Sequence, residues 1–270
     1  MAYTVKDKPV LKNVACYKYI SMPLKITTLF IAIFIYSISI AGNLNDSLPL
    51  KKISCFPALL EGNEKYCTEY ILQFAEKRRG YLIRIWTRGK NFFPKVKSIF
   101  TKYRVPEEFR VLIALESGFN AKARSRAGAY GYWQIMDEVA REYGLRISTS
   151  KMKAVKGKTP VDDRTNFNRS TSAAAKYLRD RMRNLNNDPL LIAASYNWGV
   201  GNVWNAMERT GKKSPTFWDI RRFLPAETKA YVMNFIALNV IFHNYEDFLN
   251  NSLSFETTTD ASEGTVAFSK

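Results

Sequence analysis

The residue best suited to chemistry in this sequence is Glu116, at the end of a short predicted helix. Pro106 suits the first position of that helix, and Gly118 suits the left-handed turn just past its end. The last turn of a helix is the negative end of its dipole, so a carboxylate there, beside an apolar run, is disfavoured in its charged form. Its pKa should rise, as a general acid near neutral pH requires. The alternative is a glutamate that reaches water from a frayed helix end.

The loop that follows Glu116 contains residues suited to holding a sugar. Gly128 and Gly131 allow a sharp turn and a close approach of the backbone to a ligand. Trp133 and Gln134 come directly after them, and an aromatic ring beside an amide can bind a sugar by stacking and hydrogen bonding. The alternative is a tight turn that carries a core tryptophan.

A second predicted helix ends in polar side chains. Asp188 and Pro189 suit the cap and first position of a helix that stops at Gly199. Tyr196 and Asn197 then lie in its last turn. Two helix ends that bear polar side chains can converge on one cleft, so these residues are candidates for the same site as Glu116.

The segments around these residues have the periodicity of helices. Residues 69–103 alternate apolar and basic side chains at helical spacing, and further helices are predicted over residues 169–185 and 227–245. No segment shows the alternation that is typical of strands. The sequence therefore predicts an all-α fold whose helices position Glu116, the loop that follows it, and the helix end that carries Tyr196 and Asn197.

Several classes of chemistry lack the residues they need. His243 is the only histidine and the cysteines are scattered, so neither a metal site nor a serine triad is expected. Met152 stands where a phosphate loop needs its first glycine, and Trp204 stands where a dinucleotide fingerprint needs its third. No cofactor is predicted. What remains is carboxylate chemistry on an uncharged or weakly anionic substrate.

The first 41 residues have the composition of an export signal or a membrane anchor. Five lysines precede an uncharged run at residues 26–41, and Ser39 and Ala41 form the small-x-small pattern that a signal peptidase cuts after. The run is longer than a typical signal core and shorter than a full membrane span. Whether it is cleaved or retained, the rest of the chain is predicted to lie on the periplasmic side of the cell envelope.

Charge and cysteine content agree with export. The net charge of +17 predicts attraction to polyanions, namely nucleic acid, acidic lipid or an anionic wall polymer, and export argues against nucleic acid. Cys55 and Cys67 can form a disulfide in an oxidising compartment, and two free buried thiols are the alternative. Neither feature indicates an oligomeric state.

Four motifs occur together in order and spacing. They are Glu116-Ser117, residues 131–134 (GYWQ), residues 195–199 (SYNWG) and residues 224–232 (LPAETKAYV). They resemble the signatures of the lytic transglycosylases that share the goose-type lysozyme fold, and the last resembles the branch of membrane-bound lytic murein transglycosylase D. The resemblance covers roughly residues 68–245. It differs in Tyr132, Trp133 and Ser195, and in a basic insertion at residues 151–159.

The resemblance implies a lysozyme-like (SLT) catalytic domain that cuts the β-1,4 bond between N-acetylmuramic acid and N-acetylglucosamine in peptidoglycan. It implies that Glu116 acts first as acid and then as base, so that a 1,6-anhydro ring closes without water. By the same resemblance Gln134 and Tyr196 line the site, and Ser117 and Asn197 shape it. Tyr196 is expected within hydrogen-bonding reach of Glu116, and Trp133 is expected to contact substrate.

The predicted division of the chain follows. Residues 1–41 form the signal or anchor, residues 42–104 a helical extension, residues 105–248 the catalytic domain, and residues 249–270 a disordered tail. Peptidoglycan strands are the expected partner, and association with the membrane through residues 26–41 is expected if that segment is retained as an anchor.

Two other functions remain open at this point. A hydrolytic muramidase would need a carboxylate that activates a water molecule, and the candidates are Asp137, Glu138, Asp162 and Asp163. A non-catalytic wall-binding scaffold would keep the fold and the cleft, but it would have no reason to keep Glu116 together with Gln134 and Tyr196. A nucleic-acid binder is disfavoured by the predicted export.

Overall fold

The computed structural model describes residue 60 and residues 62–147 and 161–255, and every named regular element within them is a helix. The α-helices are α1 (Glu64–Lys77), α2 (Arg79–Gly89), α3 (Phe93–Tyr103), α4 (Leu112–Ser117), α5 (Asp137–Glu142), α6 (Phe167–Asn184), α7 (Pro189–Trp198), α8 (Val200–Glu208), α9 (Phe217–Ile220), α10 (Ala226–His243) and α11 (Tyr245–Leu249). Short 3-10 helices span Glu107–Val111, Asp163–Thr165 and Arg221–Phe223. The predicted all-α class is confirmed for this part of the chain.

Helix α10 lies at the centre of the hydrophobic core. Eleven of its residues are buried, from Thr228 to Phe242. A helix that is apolar on all sides must be covered on all sides, and α1, α7 and α4 all pack against it. The helices that carry Glu116, Tyr196 and Tyr231 are therefore held by one shared core.

The helix that carries Glu116 begins differently from the prediction. Instead of one α-helix from Pro106, the chain forms the 3-10 helix Glu107–Val111, which leads into α4. Such 3-10 turns are common at the start of α-helices. The end agrees with the prediction: Glu116 lies in the last turn, and Gly118 has the left-handed conformation, with φ 56°.

The other predicted helix boundaries agree closely. The Asp188 side chain accepts hydrogen bonds from the backbone N–H groups of Leu190 and Leu191, at 2.8 and 3.0 Å, so it caps α7. Helix α5 ends just before Gly144, which has φ 80°. Local signals were sufficient to place these ends because a cap acts within a few residues of itself.

The described part of the predicted extension packs with the predicted catalytic domain. Helix α1 lies along α10, and α3 lies along α6. Order also extends beyond the predicted start of the tail at residue 249, because Phe255 is only 3% exposed and belongs to the core. The remaining residues of the tail, 256–270, lie outside the described residues, as does the basic insertion at 151–159.

The predicted signal or anchor, residues 1–41, lies outside the described residues. Among the helices that the structure does describe, none has the length and hydropathy needed to span a bilayer. Cys67 is buried on α1, but Cys55 lies outside the described residues, so the Cys55–Cys67 disulfide stays a prediction.

Candidate active site

Glu116 is partly buried, and its carboxylate is held by a tyrosine from the central helix. The Tyr231 hydroxyl donates a hydrogen bond of 2.5 Å to Glu116 Oε1. Burial raises the pKa of Glu116 to about 7, and the bond from Tyr231 offsets part of this rise. Glu116 is thus a carboxyl group that is about half protonated at neutral pH, which suits a general acid.

Tyr231 is a site residue to which the sequence assigned no role. It lies in the motif at residues 224–232, which contributes to the family resemblance but predicted no role for Tyr231. In the chain, Tyr231 is 115 residues from Glu116. Its pKa is raised well above the usual value by burial and by the charge of Glu116. Tyr231 therefore stays protonated and acts as a permanent hydrogen-bond donor to the acid.

Tyr196 does not make the hydrogen bond to Glu116 that was expected of it. Its hydroxyl donates instead to the Trp133 carbonyl oxygen, at 2.8 Å, and so fastens the end of α7 to the loop after Glu116. The expected hydrogen-bond partner, Glu116, was therefore wrong. Burial raises the pKa of Tyr196 most, and the charge of Glu116 adds to this rise. Tyr231, and not Tyr196, occupies the place beside the carboxylate.

Trp133 is buried and cannot offer its ring to a sugar. Its side chain has 0% exposure, its ring packs against Phe100, and its indole N–H donates to Thr171 Oγ1 at 3.0 Å. The prediction that Trp133 contacts substrate is therefore wrong, and the core alternative is correct. A buried tryptophan needs a hydrogen-bond partner for its indole N–H. Because Thr171 supplies that partner, the ring can be buried in the core.

Ser117, Gln134 and Asn197 shape the site through hydrogen bonds. The Ser117 hydroxyl donates to the Tyr132 carbonyl oxygen at 2.7 Å, which ties the loop to α4, the helix that carries Glu116. The Gln134 amide nitrogen donates to the carbonyl oxygens of Ala123 and Gly131, both at 2.9 Å, which engages both of its N–H groups. Gln134 can thus offer only its oxygen to a substrate.

Asn197 has the opposite arrangement. Its side-chain oxygen accepts a hydrogen bond of 2.8 Å from the Thr228 hydroxyl at the start of α10. The amide nitrogen is then the group that remains to donate to a ligand. The two amides therefore offer different groups to a ligand: Gln134 offers a hydrogen-bond acceptor and Asn197 offers a donor.

The loop after Glu116 passes very close to the neighbouring loop at Gly131. Gly131 has φ 83°, and a Cβ atom added there would lie 2.1 Å from the Arg164 carbonyl oxygen. Only glycine fits both the conformation and this distance. The close approach at Gly131 is to another backbone segment, and the approach of this loop to a ligand stays a prediction.

A cavity of about 310 Å³ opens beside these residues. Its walls include the predicted site residues Gln134, Tyr196 and Asn197, together with Tyr177 and Trp198, for which no role was predicted. The Tyr177 ring meets the Tyr196 ring edge-on at 5.5 Å. Glu116 is not among the residues that line this cavity, although its charge contributes, behind burial, to raising the pKa of two tyrosines that do, Tyr196 and Tyr177.

Most of the carboxylates considered for activating a water molecule are engaged by arginines. The buried Arg164 forms ion pairs with Asp162, at 2.7 Å, and with Asp137, at 2.5 Å. Asp163 pairs with Arg146 and Arg169, and chiefly the hydrogen bond from Arg146 lowers the Asp163 pKa to about 2. Glu138, the fourth candidate, is exposed. The three aspartates therefore serve to fix the loop that Gly131 packs against.

Comparison with known proteins identifies related sequences over the same region. Residues 97–218 match the family model of the transglycosylase SLT domain. The chain is 32% identical to membrane-bound lytic murein transglycosylase D of Escherichia coli over 171 residues, which cover 62% of this chain and 35% of that protein. This chain thus aligns with about a third of the length of that relative. The resemblance inferred from the four motifs is confirmed.

Solved structures of lytic transglycosylases are also similar. The 70 kDa soluble lytic transglycosylase Slt70 of Escherichia coli is 20% identical, with a TM-score of 0.46 over 84% of this chain and 35% of that chain. Lytic transglycosylase Slt of Pseudomonas aeruginosa, in an inactive mutant form, is 19% identical, with a TM-score of 0.41 over 83% of this chain and 30% of that chain.

Proposed function

We propose that this protein is a peptidoglycan lytic transglycosylase in which Glu116 is the only catalytic acid and base. The substrate is the glycan strand, and the bond cut is the β-1,4 bond between N-acetylmuramic acid and N-acetylglucosamine. The observation that carries the proposal is a partly buried glutamate with a pKa of about 7, held by a tyrosine and not by a second carboxylate. The SLT domain match over residues 97–218 supports the same reaction class.

In the proposed reaction the two oxygens of Glu116 have separate tasks. A carboxylic acid accepts hydrogen bonds best at its carbonyl oxygen, so Tyr231, which donates to Oε1, leaves the proton on Oε2. Oε2 then protonates the glycosidic oxygen while the bond from C1 of the muramoyl sugar breaks. The carboxylate next takes the proton of the C6 hydroxyl, whose oxygen bonds to C1 and closes the 1,6-anhydro ring. Glu116 ends the cycle protonated, as it began.

Hydrolysis by a muramidase has less support. An inverting hydrolase needs a free carboxylate that activates water from the opposite face of the sugar. Asp137, Asp162 and Asp163 each form ion pairs with arginine side chains, and chiefly the hydrogen bond from Arg146 lowers the pKa of Asp163, which makes that carboxylate a weaker base. A non-catalytic scaffold is disfavoured because it has no use for a glutamate with a raised pKa.

Activity should decrease above neutral pH. Because the first step requires protonated Glu116, we expect kcat/KM to be flat below the pKa of about 7 and to fall tenfold per pH unit above it. Tyr231→Phe removes the bond that lowers this pKa, so the descending limb should move to higher pH. Initial rates on solubilised glycan strands across a pH series measure both effects.

The matched control for this pH profile is Tyr196→Phe. The Tyr196 hydroxyl donates to the backbone of Trp133 and not to Glu116, so its removal should leave the position of the limb unchanged. A limb that moves in Tyr196→Phe and stays in place in Tyr231→Phe would show that Tyr196 is the partner of the acid. An additional acidic limb in the wild-type profile would indicate an essential second carboxylate, as in a hydrolase.

The products decide between the functions. Mass spectrometry of the muropeptides released from purified peptidoglycan should find ends that are lighter by one water than reducing ends, because the 1,6-anhydro ring forms internally. Ordinary reducing ends would establish a muramidase instead. Binding to peptidoglycan without release of any fragment would favour a scaffold.

The proposed location is the periplasmic side of the cell envelope. It rests on the predicted export segment at residues 1–41 and on the position of the substrate outside the cytoplasm. Peptidoglycan strands are the proposed partner.

A further inference from the structure

The positive charge of the described chain is concentrated in one segment, residues 77–104, which is called the basic segment below. It contains ten lysines and arginines and no aspartate or glutamate. The rest of the described residues contain 19 basic and 18 acidic residues, so they are almost neutral. The basic segment comprises the end of α1, α2 and α3, which lie next to each other in the chain.

The cations of this segment are exposed, and few of them have partners within the protein. Nine of the ten side chains are exposed. Lys97 pairs with Glu107 at 2.8 Å, and Arg79 donates to the carbonyl oxygens of Phe248 and Leu249. In the described part of the chain, no other cation of the basic segment forms an ion pair. Mutual repulsion of unpaired like charges is unfavourable, so an external anion would relieve it.

The apolar residues of the segment face the interior. Leu82 and Ile85 of α2 and Val96 and Phe100 of α3 are buried. The Trp86 ring stacks on Tyr245 at 4.3 Å. Within the basic segment, then, the outer surface offers mainly charges on long flexible stems. Charges of this kind suit the headgroups of an anionic bilayer, which attract each lysine or arginine that comes near the surface.

Exposed cations recur at helical spacing on α2 and α3. Arg84 and Arg88 are four residues apart on α2, and Lys95 and Lys102 are seven residues apart on α3, so each pair lies on one side of its helix. Between residues 26–41, predicted to be a signal or an anchor, and Lys77 lie 35 residues. The chain between them is long enough to let the basic segment reach a bilayer that holds residues 26–41.

We propose that the basic segment binds the anionic headgroups of a lipid bilayer and so holds the catalytic unit at the membrane surface. The attraction adds up over the lysines and arginines near the headgroups and is screened by salt. It acts whether or not residues 1–41 are retained. The proposal does not depend on the reaction at Glu116.

The test compares two variants that change the net charge equally. Arg84→Glu with Lys102→Glu reverses two charges of the basic segment, and Lys65→Glu with Lys213→Glu reverses two exposed charges elsewhere. The protein starts at residue 42, so that the predicted signal or anchor cannot itself bind the vesicles, and thermal melts check the folding of each protein. Co-sedimentation is measured with phosphatidylcholine vesicles, with and without phosphatidylglycerol, at low and high salt.

We expect binding to the phosphatidylglycerol vesicles alone, and weaker binding at high salt. The Arg84→Glu, Lys102→Glu variant should bind roughly thirty-fold more weakly or worse, since each basic residue near the surface contributes about a factor of five. The control variant should bind several-fold more tightly than that variant. All three proteins should release the same fragments from solubilised glycan strands, which keeps this test separate from the proposed reaction.

Three results would overturn the proposal. One is a lack of preference for anionic vesicles, and another is an equal loss of binding in both variants, which would show an effect of net charge alone. The third is a basic-segment variant that keeps its vesicle binding but loses binding to purified peptidoglycan or to duplex DNA. In that case the surface would serve the polymer and not the membrane.

Discussion

Glu116→Gln should lower the rate of fragment release from peptidoglycan by at least about 10³-fold, because one side chain supplies both the acid and the base of the proposed reaction. Glutamine keeps the shape of the side chain and still accepts the hydrogen bond from Tyr231, but it carries no transferable proton. Initial rates of release, quantified by mass spectrometry of the anhydro products, measure the effect. Glu108→Gln, the same substitution at an exposed position, is the matched control and should keep the wild-type rate.

The stability of the Glu116→Gln variant separates loss of chemistry from loss of folding. The pKa of Glu116 is about 7 in the folded protein and 4.5 in the reference state, so the folded protein binds this proton more tightly. The contribution of Glu116 to the free energy of unfolding of the wild type is therefore fully present below pH 4.5 and is lost as the pH rises towards 7. Glutamine does not titrate. The free energy of unfolding of the variant, relative to that of the wild type, should therefore rise by about 3 kcal/mol between pH 4 and pH 8.

Urea unfolding of both proteins at the two pH values measures this difference. An inactive variant that is at least as stable as the wild type at pH 8 would assign the loss of activity to the missing proton. A variant that keeps more than a tenth of the wild-type rate would exclude Glu116 as the only acid and base. A constant stability difference across the pH range would contradict the raised pKa.

Gly131→Ala should lower the free energy of unfolding by about 3 kcal/mol or more and should also reduce activity. The added Cβ would lie 2.1 Å from the Arg164 carbonyl oxygen, and alanine is strained at φ 83°. Arg164 cannot move away easily, because its side chain is buried and paired with Asp162 and Asp137. The loop that carries Gln134 would have to shift instead. Chemical denaturation and initial rates measure the two effects.

Gly128→Ala is the matched control for this steric effect. Gly128 also has a positive φ, 94°, but nothing lies within 4 Å of a Cβ atom added there. Its substitution should therefore cost only the backbone strain, about 1–2 kcal/mol. Equal destabilisation by the two substitutions would show that conformation, and not the close approach to Arg164, requires glycine at position 131.

The sequence by itself determined the features that depend on neighbouring residues. It placed Glu116 in the last turn of a helix, with Gly118 in the left-handed conformation after it, and it identified Asp188 as the cap of α7. It also predicted the direction of the Glu116 pKa, because an acid beside an apolar run at that helix end is disfavoured in its charged form. Helix ends and caps are decided within one or two turns, so local patterns are sufficient for them.

Only the tertiary structure decided which side chains meet. Tyr231 reaches Glu116 across 115 residues, while Tyr196, the expected partner, bonds to the Trp133 backbone. Trp133 itself turns into the core because α6 provides Thr171 as a partner for its indole N–H. These contacts depend on how α10 and α6 pack around Glu116 and the loop that follows it. A motif specifies residue types and spacing along the chain, but the direction of a side chain follows from the helices packed around it.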